Sequence, residues 1–344
     1  MTTTRCVRGS TTKPMWQKLL PKTDLVCGYH LYQLRTSSKE VLPRYLLYAL
    51  QSFDIQTYFK KEQTGTTIAG LARSVLEATR VPLPPLTEQK KIAEILSEID
   101  NYLQKLYLQK VKLETTKNAL QQELLTVKIG KFKSSSYGSI PSHWSELSLM
   151  EVVGKSNLQT GPFGSQLHAH EYTNYGIPVI MPQDMKECEV AIDKIARIPE
   201  ERTLPLKKHK VKIGDLLFSR RGDIGRHVLI TKKEENWICG TGCLRIRPNE
   251  NIDASFLSAL LQSKFALEWL NLNAVGQTML NLNTSILGQL PVLVPPIEEQ
   301  KKISNIFNVV TRRLKSISNQ ILKIQNLKMG ISADLLSGRK RVIV

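Results

Sequence analysis

Residues 81–92 read VPLPPLTEQKKI and residues 292–303 read VLVPPIEEQKKI, aligned position for position at an offset of 211. A match of this length, prolines and a Glu-Gln-Lys-Lys run included, marks a duplication, and it extends beyond the signature. Upstream, Tyr45-Leu46 and Leu50-Gln51-Ser52 align with Phe256-Leu257 and Leu261-Gln262-Ser263, and Gly65, Thr67, Leu71, Ser74 and Leu76 with Gly276, Thr278, Leu282, Ser285 and Leu287. Downstream, Leu124-Leu125 aligns with Leu335-Leu336, while Cys27-Gly28 matches Cys239-Gly240 at 212. A period this long excludes a solenoid or propeller and predicts two copies of one unit, a globular part followed by a helix.

Each signature reads as a strand or loop delivered into a helix. Pro84-Pro85 and Pro295-Pro296 cannot lie inside a helix and bias what precedes them toward extended backbone, so the helix begins just after them. Glu88 and Glu298-Glu299 then sit at the positive end of the helix dipole. Apolar residues follow at Ile92, Ile95, Ile99, Leu103, Leu106, Leu113, Leu120 and Leu124, and at Ile303, Ile306, Val310, Leu314, Ile317, Ile321, Ile324, Ile331 and Leu335. Steps of three, four and seven predict a narrow coiled-coil seam in each helix, with Lys117 and Lys328 at one equivalent seam position. The shared register predicts that the two helices pair within the chain, as an antiparallel coiled coil.

Between the signatures the chain predicts a mixed α/β fold. Val41 to Phe59 and Asp253 to Asn271 have helical spacing. Residues 134–138 read as a short polar linker, and short apolar runs at 176–181, 211–218, 227–231 and 237–247 read as strands of a twisted sheet. The expected boundaries are 1–85 for a first globular domain, 86–138 for the first long helix and linker, 139–297 for a second globular domain, and 298–344 for the second long helix and basic tail.

Charge indicates a partner class. A net +18 over 344 residues points to a polyanion, usually nucleic acid. Residues 139–297, however, hold 17 basic against 16 acidic side chains, so binding there depends on local clusters. The sharpest cluster is GDLLFSRRGDIGR at 214–226, where a loop with two glycines presents Arg220, Arg221 and Arg226 between two strands. Arginine forks match phosphates and the O6/N7 edge of guanine, and glycines permit close backbone approach. Lys207, Lys208, Lys210 and Lys212 form a second basic cluster, suited to a phosphate rail or a solubilising face. In the tight loop Gly161-Pro162-Phe163-Gly164-Ser165, Phe163 reads as core, while Gln159, Ser165 and Gln166 are candidate base readers. Gln277, Asn281 and Asn283, ahead of the second signature, are further amides suited to adenine.

Catalytic and metal chemistry find no pattern. Gly154-Lys155-Ser156 would end a phosphate-binding loop, but Leu149 stands where its first glycine belongs. No Asn-Pro-Pro-aromatic or Asp-Pro-Pro-aromatic tetrapeptide is present, and five cysteines form no Cys-x-x-Cys pair. Cys239 and Cys243 read as buried thiols rather than metal ligands beside His30 or His227. No apolar run is long enough to span a membrane, and the cysteine usage suits a cytoplasmic protein.

Taken together, VPLPPLTEQKKIAEIL, VLVPPIEEQKKISNIF, GSIPSHW, TGPFGS, GIPVI, GDLLFSRRGDIGR and NLNTSILGQLPVLVPP resemble the specificity subunit of Type I restriction-modification systems, from about residue 25 onward. The resemblance implies two target-recognition domains that each read half of a split site in double-stranded DNA, with paired helices fixing the spacer. It implies adenine-methyltransferase and restriction (motor-nuclease) subunits as partners, and places S-adenosylmethionine, ATP and magnesium on those subunits rather than on this non-catalytic chain. One departure is large: 140 less 211 puts the expected start of the first domain about 70 residues before Met1. The expectation is therefore an incomplete first target-recognition domain, through an upstream start or a truncation, with a second copy of the chain as one source of the other half-site reader. Two further readings stay open, the detached recognition part of a fused methyltransferase-nuclease and a basic coiled-coil scaffold without sequence preference.

Overall fold

The computed structural model describes residues 5–8, 14–15, 31–36, 39–64, 70–124, 131–163, 166–186, 189–276 and 281–342. They form two compact units, Met1–Lys112 with Lys315–Val344, and Leu113–Leu314. Strands β1 (Arg5–Arg8), β2 (Pro14–Met15) and β3 (Leu31–Leu34) make an antiparallel sheet in the order β2-β1-β3. Helices α1 (Pro43–Leu50), α2 (Phe53–Lys61) and α3 (Arg73–Ala78) lead into the long α4 (Leu86–Leu124). A hairpin of β4 (Phe132–Ser135) and β5 (Gly138–Pro141) follows, so the stretch read as a polar linker is paired backbone. Gly138, at φ 95°, closes its two-residue turn.

The second unit continues with β6 (Ser145–Ser148), α5 (Leu149–Val153), β7 (Leu158–Thr160), β8 (Ile177–Ile180), β9 (Met185–Lys186), β10 (Glu189–Val190) and β11 (Arg197–Ile198). Then come β12 (Leu216–Ser219), β13 (His227–Leu229), β14 (Ile238–Cys239), β15 (Cys243–Ile246), α6 (Ala254–Leu261), α7 (Lys264–Asn273), α8 (Thr284–Gly288), β16 (Pro291–Val294) and the long α9 (Ile297–Leu336). The central sheet is antiparallel in the order β13-β12-β15-β7, and a second sheet runs β11-β8-β14. The run predicted as one strand over 237–247 is split by the turn 240–242 into β14 and β15. The largest core joins Trp144, Leu149, Leu216, Phe218, Leu244, Ile246, Phe256 and Leu257 to Ile303 and Phe307 of α9. Cys239 and Cys243 are free thiols in a neighbouring core with Ile180 and Val228, as the sequence suggested.

The duplication is visible element by element. Each of α1, α2, α3 and α4 starts 211 residues before α6, α7, α8 and α9 respectively. The helix predicted over 41–59, like its copy, is two helices, broken where Ser52 and Ser263 turn extended at ψ 151° and 150°. In the first unit the long helices run antiparallel: Lys328 binds Asp100, Gln325 Nε2 donates to Tyr107 Oη at 2.8 Å, and Ile331 and Leu336 pack in the cluster of Ile92 and Leu96. The seam departs from expectation near its start. Ile306 is 41% exposed while its neighbour Phe307 is buried, and Leu96 is buried in preference to Ile95. There the helix packs against its own globular helices, through Tyr45 and Tyr48 in the first copy and Phe256 and Leu257 in the second, which shifts the buried stripe.

The signature glutamine explains why the motif is duplicated so closely. Gln300 is fully buried; its Oε1 accepts from Asp253 N at 2.9 Å, and its Nε2 donates to Asn251 O at 3.1 Å and Pro295 O at 2.8 Å. Gln89 repeats every bond 211 residues earlier, accepting from Leu42 N at 2.9 Å and donating to Glu40 O at 2.7 Å and Pro84 O at 2.8 Å. One amide thus ties the first turn of each long helix to its proline hinge and to the segment opening the preceding helix pair. The next residue back works similarly: Glu299 accepts from Trp144 Nε1 at 2.8 Å and contacts His143 Nε2 at 2.9 Å, while Glu88 takes the Arg341 guanidinium at 2.6 and 2.7 Å. That ion pair, through the Arg341 hydrogen bonds above all, holds the Glu88 carboxyl below the usual carboxylate range. Replacing Gln300 by Leu strands buried polar groups and should lower stability by about 2–3 kcal/mol. Urea unfolding followed by tryptophan fluorescence measures this, with faster amide exchange at Asp253 as a local check; a change below about 0.5 kcal/mol counts against the clamp.

Candidate nucleic-acid interface

Four separate stretches meet at one end of the central sheet of the second unit. The arginine loop leaves β12 at Ser219 and returns at His227, with Gly222 and Gly225 at φ 79° and 95°, as its two glycines suggested. Its base is closed by Ser219 N donating to Arg226 O at 2.8 Å and Ser219 Oγ donating to Arg221 O at 2.9 Å. The turn 240–242 packs beside it, Arg220 N donating to Gly242 O at 2.8 Å. The loop beginning at Gly161 packs on the same turn: Gly161 N donates to Cys243 O at 2.9 Å and Thr241 Oγ1 to Pro162 O at 3.1 Å. A Cβ on Gly161 would lie 2.0 Å from Gly240 O, so this approach requires glycine. Residues 281–282 complete the group, Leu282 N donating to Arg220 O at 2.8 Å and Asn281 bridging to Arg221.

The three arginines are not equivalent. Arg220 Nε donates to Asn281 Oδ1 and Leu282 O, both at 3.1 Å, and its guanidinium lies 5.1 Å from the centre of the Phe163 ring. Arg226 chelates Asp223 Oδ2 through Nε and Nη2 at 2.9 and 2.7 Å and reaches Pro182 O at 3.3 Å. The Arg221 side chain is exposed and its guanidinium has no partner among the described residues. Phe163, read from sequence as core, is 48% exposed, because its loop is held down by Gly161 and Pro162 while the ring itself stands out beside Arg220.

The other sequence candidates separate. Gln166 Oε1 accepts from Phe163 N at 3.1 Å and closes that loop. Asn283 caps α8, its Oδ1 accepting from Ile286 N at 2.8 Å, and Asn281 serves as a holder of Arg220. Gln159 is half-buried on β7, opposite Arg245. Lys207, Lys208 and Lys210 lie toward the far end of β15: Arg245 Nη1 donates to Lys208 O at 2.8 Å and Arg247 Nη2 to Lys210 O at 3.4 Å. Ser165 and Gln277 lie outside the described residues.

Beneath this surface the charged side chains are structural. Asp215, of the same GD…SRRG run, is 1% exposed and takes a bidentate pair from Arg247 Nε and Nη2, both at 2.6 Å. This bonding raises the pKa of Arg247. His227 is buried, with Nδ1 2.9 Å from Gly225 O and Nε2 3.0 Å from Ser258 Oγ, so it pins the end of the arginine loop to α6. His209 is buried and neither ring nitrogen makes a well-formed hydrogen bond among the described residues; burial, then Lys208 and Arg245, pushes its pKa down to about 4 against a weaker opposing effect of the Thr160 backbone. Burial lowers His227 likewise. His209 is therefore neutral when folded and charges more readily when unfolded, so its contribution is complete above about pH 6.5 and is lost as pH falls toward 4, and the lowered pKa of His227 acts in the same direction. Stability should drop by up to about 1.4 kcal/mol per pH unit from His209 across that window. The loss between pH 7 and pH 5, measured by urea unfolding, should shrink in His209→Gln; an unchanged loss would remove His209 as a cause.

A family model described as "Type I restriction modification DNA specificity domain" matches residues 17–113 and 141–326. The MjaVIII Type I restriction enzyme specificity subunit of Methanocaldococcus jannaschii is 29% identical over 312 residues, 86% of this chain and 70% of that protein. The EcoBI specificity subunit of Escherichia coli is 27% identical over 294 residues, 80% of this chain and 61% of that one. Among solved structures, the S subunit of a Type I restriction-modification system from M. genitalium shares the fold at a TM-score of 0.66 and 17% identity, over 97% of this chain and 83% of its own.

Proposed function

The chain belongs to the Type I restriction-modification DNA specificity family, and on that premise we propose that its second unit reads part of a double-stranded DNA target through the surface built around Arg221. The observation that carries this reading is the division of labour among the arginines. Asn281 and Asp223 commit Arg220 and Arg226 to the loop, and the exposed Arg221 is left with its donors unused on a loop whose glycines keep the backbone accessible. Such a fork suits a phosphate or the edge of guanine. The lysines at 207, 208 and 210 would touch backbone phosphate at a separate point.

In this reading the chain is the non-catalytic recognition subunit of a larger complex. Methyltransferase and restriction subunits dock on it and bring S-adenosylmethionine, ATP and magnesium, and the second globular part addresses one half of a split site, with a further reader such as a second copy of the chain for the other half. The first unit supports the idea of paired helices as a spacer element, since α4 and α9 run antiparallel there and the Lys328–Asp100 pair pins their register.

Selection from a randomised duplex library, followed by anisotropy titration over a salt series, tests the reading. Arg221→Ala should weaken binding about tenfold and lower the salt slope by about 0.9, the share of one neutralised phosphate, or relax preference at one base pair if it reads guanine. Arg226→Ala should act less, having Asp223 as its partner. Equal binding by Arg221→Ala at every salt concentration, or no enrichment of any sequence by the wild-type chain, would overturn it.

A further inference from the structure

We propose that Phe163 is a stacking wedge, an aromatic side chain that packs its free face against a base and opens one base step of the bound duplex. This deepens the DNA reading above and rests on it. A single exposed apolar residue is ordinary on a protein surface. Phe163 differs in how firmly it is presented. The backbone leading to it is fixed by Gly161 N on Cys243 O, by Thr241 Oγ1 on Pro162 O, and by the close approach of Gly161 to Gly240. Its own N–H is taken by Gln166 Oε1, and Pro162 restricts the preceding backbone.

The ring is also buttressed from one side. Arg220 stands over it, and Arg220 is itself held by two hydrogen bonds to Asn281 and Leu282. A guanidinium fixed in this way supports the ring on one face and leaves the rest of its 48% exposed surface for a ligand. Arg221 and Phe163 are thereby linked through Arg220, whose amide bonds Gly242 in the turn 240–242 that also holds the Gly161 loop, and whose carbonyl accepts from Leu282 N. A polyanion drawn to Arg221 meets a preorganised aromatic with one open face, and nucleic acid is the polyanion that carries π-faces to match. Insertion of apolar side chains between base steps is a general way of unstacking and kinking a duplex.

The test uses the full chain and the duplex enriched by the wild-type protein. 2-Aminopurine replaces each adenine in turn, and 6-methylisoxanthopterin each guanine, so that unstacking is read as brightening at one position. Wild-type binding should brighten one step several-fold. Phe163→Ala should still bind, about tenfold more weakly as expected for the loss of one base–aromatic stack, with the brightening gone. Phe163→Trp should retain it. Phe163→Gln, which keeps a long side chain without a ring, serves as the second variant and should behave as Phe163→Ala does. Brightening of the same step to the same extent by the ringless variants, or no bright position in a wild-type complex that binds tightly, overturns the wedge and leaves the DNA reading standing. Failure of the wild-type chain to enrich any duplex removes both.

Discussion

A buried primary amide at the foot of each long helix is the contact on which the rest of this structure turns. Gln89 and Gln300 each use one acceptor and two donors on main-chain groups of two different segments, so neither can be moved without leaving backbone polar groups unpaired in an apolar setting. The bonds fix where a helix of about 40 residues starts and which way it points relative to the helix pair before it. A small error in that entry angle would grow along a helix about 60 Å long. The prolines stop the strand-like lead, the glutamine sets the entry, and the following Ile92 or Ile303 buries the first turn. The glutamate one position earlier then fastens the chain that returns after the opposite long helix, Trp144 in the second unit and Arg341 in the first.

From these clamps the remainder of each unit follows. Since α4 and α9 contribute to both compact units, each unit is assembled from the start of one helix and the end of the other. The seam lysines, equivalent in sequence, each bind a polar partner, though not the same one. Lys328 reaches Asp100, which also takes the Tyr48 hydroxyl, and Lys117 donates to Gln262 at 2.8 Å in the turn between α6 and α7. A charged residue in a seam lowers its apolar content; Lys328 instead bonds across to the other long helix and specifies register there, while Lys117 ties its helix to the globular part.

The sequence made the duplication legible because both copies kept the same spacing, and every helix start reproduces it. It could not show why glutamine was kept, since an amide in a first helical turn reads as solvent-facing until its three partners are known. The step from Ile306 to Phe307 was hidden for a related reason: periodicity reports one buried stripe, while the start of α9 is covered by α6 as well. The candidate site was half legible. Glycines and arginines marked the loop, yet neighbouring arginines look alike in a sequence, and only Asn281, 61 residues away, and Asp223 distinguish Arg220 and Arg226 from Arg221. Phe163 was misread because a phenylalanine between glycine and proline neighbours carries no periodic pattern from which its direction could be taken. Asn283 went to a helix cap, the commonest use of asparagine before a short helix.

The charge distribution gives this arrangement a functional logic. With 17 basic and 16 acidic side chains over residues 139–297, the second globular part exerts little long-range pull on a polyanion. Binding that depended on a broad basic face would be strong on every sequence, because phosphate contacts are the same everywhere. Here Arg226 is paired with Asp223 and Arg220 is tied down through Nε, so among the described residues of the loop Arg221 is the arginine whose donors are all unused. Arg220 is held by hydrogen bonds to an amide and to main chain, which salt screens little, whereas Arg226 is held chiefly by an exposed ion pair to Asp223, which salt weakens. On the proposed reading, low general affinity combined with a rigid local reader would raise the ratio of specific to non-specific binding, the quantity that matters to a protein searching a genome for one short site.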